Sequence, residues 1–348
     1  MTHPSVESAQ RLVEARQTGA EGEIAGALVA HANDLVRSGR IGEARAELDE
    51  AAAIHHRAGR RHDEARCTQL AATLCRLDGH LAEAKTRCRR VLTLCASTGP
   101  GAVSAFAELG ETALAEGNAT DAVEAYGAAL DAAGATDASG IDRAALLRRR
   151  AVGFTALARY QDAVHDLKTA HGLLTHAGDR QGAVRALIEA ATALRHADRA
   201  PEAVRVVEQA MGLATQEVDH AALADLHLLL AADALDRRDS VAAMSSAQTA
   251  REAALAANAP TSYIGAAHTI AQLADSAGDR QAAYAALATG WATLADLLGG
   301  DVARMSFAPK LGELRARWGP TAFDDVKRAY EARCRPDGPH GTGSGAIS

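Results

Sequence analysis

The sequence predicts an all-α chain, a solenoid of about eight antiparallel helix pairs. Three observations predict it: a composition that disfavours sheet, a pattern recurring about every forty residues, and apolar residues spaced three and four apart inside each recurrence. Of 348 residues, 48% are hydrophobic but only 3% are aromatic (Trp 2, Tyr 5, Phe 4). Strands draw on aromatic and β-branched residues, so a β-sandwich or barrel of this size is disfavoured. Alanine, leucine, glutamate and arginine dominate instead, and they favour helix. The apolar content is ample for a core, which excludes wholesale disorder.

The formal charge of −7 argues against a surface built for nucleic acid or anionic lipid. Residues Met1 to Gln10 are polar, with no apolar stretch of a secretory signal. No run of about 18 apolar residues exists to span a membrane. Five cysteines, four of them inside one repeat, do not form a secreted disulfide framework. The expectation is a cytoplasmic protein that binds neither nucleic acid nor membrane.

Seven segments share one pattern: a small residue, a turn, an alanine, then an amphipathic stretch. Aligning that alanine gives Ala44, Ala84, Ala122, Ala163, Ala203, Ala243 and Ala283, in steps of 38 to 41 residues. Twelve residues before each lies Ala32, Ala72, Gly110, Ala151, Ala191, Ala231 or Ala271. Seven residues after each lies Ala51, Val91, Ala129, Ala170, Ala210, Ala250 or Gly290. Small residues at these points let two antiparallel helices approach closely, while leucines at i, i+3 and i+4 supply the apolar stripe. The turn column reads Gly39, Gly79, Gly117, Ala158, Asp198, Arg238 and Gly278. Glycine there suits a left-handed helix C-cap, so the three other turns are expected to be strained or differently shaped. Pro100 and Pro260 mark starts of first helices, and Pro201 the start of a second.

The ends depart from the beat. Residues 1–20 are expected to form a capping helix running from Ser5, its N-cap, to Arg16. Residues 21–298 hold the seven repeats. Residues 299–334 form a degenerate eighth unit, with Pro309 interrupting its first helix and Trp318-Gly319-Pro320 as its turn. Its second helix, Thr321 to Arg333, carries Phe323, Val326 and Tyr330 on one face, and residues 335–348 are expected to be a disordered tail.

At these columns the chain resembles the tetratricopeptide repeat superfamily over roughly residues 20 to 298. The period near 40, longer than that family's usual 34 or so, looks like the helical-repeat regions of MalT-like and AfsR-like bacterial activators. The closing stretch LRARWGPTAFDDVKRAYEAR resembles the final unit of such regions. No GxxxxGK[ST] phosphate loop and no helix-turn-helix segment accompany it. The resemblance implies a right-handed superhelix whose first helices line a concave face that binds a protein, a peptide or sometimes a small ligand.

On that face the resemblance places Asn33, Val36 and Arg37, then Arg66, Gln69, Thr73 and Arg76, then Glu111 and Leu114. Arg148, Val152 and Thr155 follow, then Arg185, Ile188, Thr192, Arg195 and His196. Asp225, Leu228 and Asp236, with His268, Gln272 and Asp275, complete it. Arginines occupy most of the first five repeats and aspartates the last two. The planar arginine fork suits carboxylates, so the expected partner is an acidic or extended protein segment, with a small anionic ligand as the alternative. Solvated helix faces are the plainer reading of the same charges. Asn33 fits one asparagine position of the family's carboxylate clamp, but the clamp lysines are absent, so chaperone binding is not expected.

Cys67, Cys75, Cys88 and Cys95, with His55, His56 and His62 nearby, invite a metal reading. Cys75 and Cys88, however, fall at columns filled elsewhere by Leu35 and Leu48, and no CxxC or HxxxH pair is present. Buried free cysteines are favoured, without metal or cofactor. Arg148-Arg149-Arg150 is a strong basic run, but successive helical residues point about 100° apart and make no flat patch. No catalytic signature occurs, so a non-catalytic regulatory or accessory scaffold is expected, an enzyme with a pocket across the groove being the remote alternative.

Overall fold

The computed structural model describes residues 4–135 and 139–334, with side chains from Glu7 onward. Among them are seventeen helices and no strand. The chain divides into two compact units, Met1–Asp198 and Arg199–Ser348.

The first unit opens with α1 (Pro4–Thr18), followed by α2 (Glu21–Arg37), α3 (Ile41–Arg57), α4 (Arg61–Leu77) and α5 (Leu81–Leu94). It continues with α6 (Pro100–Ala115), α7 (Ala119–Gly134), α8 (Gly140–Ala156), α9 (Tyr160–His176) and α10 (Arg180–His196). The second unit holds α11 (Ala200–Glu217), α12 (His220–Asp236), α13 (Ser240–Ala256) and α14 (Pro260–Ser276). It closes with α15 (Arg280–Leu298), α16 (Gly300–Trp318) and α17 (Pro320–Cys334). Within each unit consecutive helices pack on one another through short connections, as antiparallel hairpins do. The unit boundary falls inside the fifth repeat, so α10 and α11 belong to different units.

Burial follows the columns. All seven aligned alanines, the residues twelve before and the residues seven after are buried. Where the column takes glycine, an aromatic ring explains it. A Cβ on Gly110 would lie 2.7 Å from the Tyr126 ring, and one on Gly290 2.7 Å from that of Phe307. Close approach, not backbone freedom, therefore requires glycine at both.

The turns show where expectation and structure part. Ala158, Asp198 and Arg238 sit at φ 56°, 57° and 60°, the same left-handed region as Gly39 and Gly79 at 78° and 80°. Their turns are not differently shaped. The residue after the left-handed position donates to the carbonyl five before it in both kinds, as in Arg40 N to Leu35 O at 2.9 Å and Asp239 N to Ala234 O at 2.8 Å. The hydrogen-bond pattern imposes the conformation, and a side chain there bears strain of about 1–2 kcal/mol. In four turns an aspartate (Asp179, Asp219, Asp239, Asp279) then caps the next helix by accepting a backbone N–H.

Pro309 does not interrupt the eighth unit: α16 runs through it from Gly300 to Trp318. Proline removes only the bond to the residue four before, Met305, which is 69% exposed, so water can satisfy that carbonyl. Gly319 makes the expected turn at φ 84°. Phe323 is buried, with Val326 and Tyr330 packed beside it, and Tyr284 meets both rings edge-on at 5.5 and 5.4 Å. At the other end α1 covers the expected helix from Ser5 to Arg16, burying Leu12 and Ala15. The Ser5 side chain and the tail from residue 335 lie outside the described residues.

Candidate functional site

Three clefts open beside first helices, and they take up some of the anticipated groove residues and not others. One, of about 840 Å³, lies between α6 and α8. Pro100, Val103, Ser104, Ala107 and Glu111 of α6 face Ser139, Asp142, Ala145, Leu146 and Arg149, with Tyr126 of α7 as the floor. The second, about 420 Å³, lies between α8 and α10 over Leu167 of α9. It brings together Arg148, Val152, Thr155, Ile188 and Thr192, all five placed on the groove from sequence, and adds Glu189. Both volumes are those of ordinary ligand pockets.

The second cleft exists because α8 presents Arg148, Val152 and Thr155 at i, i+4 and i+7, one side of the helix, while α10 presents Ile188 and Thr192. Val152 is 48% exposed, whereas Leu146, Leu147 and Phe154 of the same helix are buried. Arg148 donates from Nε to Glu189 Oε2 at 2.9 Å and from Nη2 to Oε1, tying α8 to α10. That bond outweighs burial and raises the Arg148 pKa.

In the first cleft the hydroxyl of buried Tyr126 donates to Glu111 Oε1 at 2.8 Å, and Arg149 Nε reaches the same oxygen at 3.0 Å. Burial, and then the Glu111 carboxylate, push the Tyr126 phenol upward, so it stays protonated. Asp142 accepts from the Ser139 hydroxyl at 2.7 Å at the N-terminus of α8.

The arginine face is less free than the sequence reading held. Arg76 pairs with buried Glu108, which also accepts from Thr73 at 2.8 Å, and Gln69 bonds the Ser104 carbonyl at 3.4 Å. These bridges span α4 and α6, and Arg76, Thr73, Gln69 and Glu108 line none of these clefts. Arg37 pairs with Asp34 of its own helix, whereas Asn33 is exposed. Arg66 and Arg185 are exposed and form no ion pair among the described residues. Arg195 is half-buried on the last turn of α10, and His196 stacks on Tyr160 at 5.7 Å.

In the second unit, Asp225 accepts from the Ser262 hydroxyl at 2.6 Å. Asp236 is exposed at the end of α12. Asp275 is no open carboxylate: its side chain is 6% exposed, accepts from Trp318 Nε1 at 2.6 Å and pairs with Arg317. With His268, Gln272, Lys310 and Glu313 it lines a third cleft of about 230 Å³ between α14 and α16. His268 Nε2 is buried without a hydrogen-bond partner among the described residues, and burial, then Lys310, push its pKa down.

Arg149, Glu189, Tyr126 and Glu108 escaped the sequence reading. A signal was present: Glu111 to Arg149 and Arg148 to Glu189 are opposite charges 38 and 41 positions apart, one repeat, on neighbouring first helices.

Cys67, Cys75 and Cys88 are buried and Cys95 is half-buried. Burial pushes the Cys88 thiol up to about 12 and raises Cys67 too. Among the described residues no three of His, Cys, Asp and Glu are arranged to hold a metal, and no helix is long and apolar enough to cross a membrane.

No protein-family model matches the chain, and no curated protein does. Solved structures do match. The apo form of RapI aligns with a TM-score of 0.62 at 11% identity, covering 89% of this chain and 87% of that one. A Rap protein complexed with Competence and Sporulation Factor aligns at 0.55 and 15% identity, covering 95% and 88%. BtubC from P. vanneervenii aligns at 0.55 and 14%, covering 62% and 91%. The fold is that of tetratricopeptide-like helical repeats. The narrower likeness to MalT-like and AfsR-like regions finds no support among these neighbours.

Proposed function

We propose that the protein is a non-catalytic interaction scaffold, regulatory or accessory and cytoplasmic, that holds an extended protein segment on the first-helix face of its first unit. The observation that carries the reading is the cleft between α8 and α10, where five groove positions converge on an apolar floor. A fold neighbour recorded with Competence and Sporulation Factor lends support from a second direction. The expected preference for acidic partners is set aside at this site, because Arg148 is already matched by Glu189.

Replacing Val152 and Ile188 together by glutamate tests the proposal. Partners recovered with the wild-type chain should be lost while the helical circular dichroism is retained. Recovery of the same partners at the same strength sinks the reading.

A second reading, a sensor of a small anionic ligand, is favoured by Arg66 and Arg185, which are exposed without ion-pair partners among the described residues. It requires thermal stabilisation by anionic metabolites that disappears in Arg66→Ala or Arg185→Ala, since a ligand that binds the native state raises apparent stability.

A further inference from the structure

The two clefts flanking α8 bear on the chemistry of their occupant, an inference that rests on the scaffold reading above. Charge decides first. Glu111 is paired with Arg149 and Arg148 with Glu189, while Asp142 is held by Ser139 at a helix N-terminus. Asp142 is the one lining charge without an ion pair among the described residues, and its place at the N-terminus of α8 partly offsets it. An anionic side chain entering either cleft, or a cationic one entering the second, would shed water without gaining a counter-charge, a net cost.

Hydrogen bonding decides next. Tyr126 bonds Glu111 Oε1 and Arg149 Nε lies 3.0 Å from the same oxygen, so Oε2 remains an acceptor without a partner among the described residues, and exposed Arg149 keeps its terminal N–H groups as donors. One acceptor beside one donor matches a peptide group, which offers one N–H and one C=O and carries no charge. In the second cleft Arg148 engages both oxygens of Glu189, so that cleft offers mainly apolar contact through Val152, Ile188 and Leu167.

Spacing follows from helix geometry. The first cleft borders the N-terminal half of α8, from Ser139 to Arg149, and the second the C-terminal half, from Arg148 to Ala156. At 1.5 Å per residue the centres lie about 12 Å apart along the axis and about 10 Å across the helix, about 16 Å in all. Extended chain covers that in about four or five residues.

We propose that this face binds a neutral, extended peptide that crosses α8 obliquely. Two large apolar side chains four or five positions apart fill the clefts, and Glu111 and Arg149 grip the backbone beside the first anchor.

The test is selection of random phage-displayed dodecapeptides on the full chain, followed by fluorescence anisotropy of the synthetic winners. The expected winners share two large apolar residues at that spacing and carry no excess of charge. Val152→Glu should weaken them at least about tenfold, and Glu111→Gln, which turns the open acceptor into a donor, about threefold or more. Affinity should hold steady between about 50 and 300 mM salt. Winners rich in acidic or basic residues, or with apolar residues at helical spacing, that still depend on Val152 overturn the neutral extended peptide and leave the scaffold standing. No enrichment, or winners that bind Val152→Glu and Ile188→Glu as well as wild type, overturns both. Circular dichroism of each variant confirms that lost binding is not lost folding.

Discussion

Arg150 of α8 grips Asp166 of α9 with two parallel hydrogen bonds, Nε to Oδ2 at 2.7 Å and Nη2 to Oδ1 at 2.8 Å, and the aspartate side chain is 2% exposed. The Arg150 guanidinium also stands 5.5 Å from the Phe154 ring centre. Removing Arg150 leaves the Asp166 charge buried and unmatched. Arg150→Ala should therefore lower stability by about 3–5 kcal/mol, seen as a large fall in the urea midpoint. Asp162→Ala, which breaks the exposed pair with Arg159, should cost less than about 1 kcal/mol. Equal effects would show that burial does not set the value of these pairs.

Val218 occupies the left-handed region at φ 54° and is 65% exposed. A β-branched side chain is a poor fit there and gains nothing from packing. Val218→Gly relieves about 1–2 kcal/mol of backbone strain, offset in part by the chain entropy of glycine. The thermal midpoint should rise, and Arg238→Gly should act the same way. A fall in either would mean that the side chain makes a contact worth more than the strain.

Three histidines make the fold sensitive to mild acid. Burial lowers the pKa of His227 and His268, and burial with Arg60 lowers that of His55. A depressed pKa means the unfolded chain takes up a proton before the folded one does. Stability is then full above the ordinary histidine value of about 6.5 and falls as the pH drops below it. Denaturant midpoints should decline between about pH 7 and pH 5, above the carboxylate range. Replacing His227 and His268 by glutamine should flatten that decline; an unchanged slope would exclude them as its source.

Thiol labelling should split the cysteines. Cys334 is exposed and Cys95 half-buried, whereas Cys67, Cys75 and Cys88 are buried. A thiolate is the reactive form, and the Cys88 thiol pushed up to about 12 scarcely ionises at neutral pH. Native protein should react quickly at Cys334, slowly at Cys95, and at the other three only after unfolding. Fast labelling of Cys88 in the native state would contradict its packing.

Gly110 tests the columns themselves. Alanine there places a Cβ 2.7 Å from the Tyr126 ring and should destabilise by about 1–3 kcal/mol through overpacking. Ala151→Gly, at the same column beside a smaller neighbour, should cost only about 1 kcal/mol from helix propensity. A neutral Gly110→Ala would show that the ring shifts freely.

The sequence by itself determined the helical repeat, its beat of about forty residues and the sites of helix contact. Those features are local: small residues, glycine turns and apolar spacing act within one hairpin, so alignment exposes them. Through the family resemblance it also placed Arg148, Val152, Thr155, Ile188 and Thr192 on the groove, and these five line one cleft. The triple arginine run shows where that reach ends. Its divergent directions were readable, but the partners Glu189, Glu111 and Asp166 lie 41, 38 and 16 positions away on three different helices. Only tertiary structure decided that these charges are matched, that α4 and α6 are bridged, and that clefts open on both sides of α8. Ion pairing and cleft volume depend on how neighbouring hairpins stack, and the residues that set the stacking are far apart along the chain.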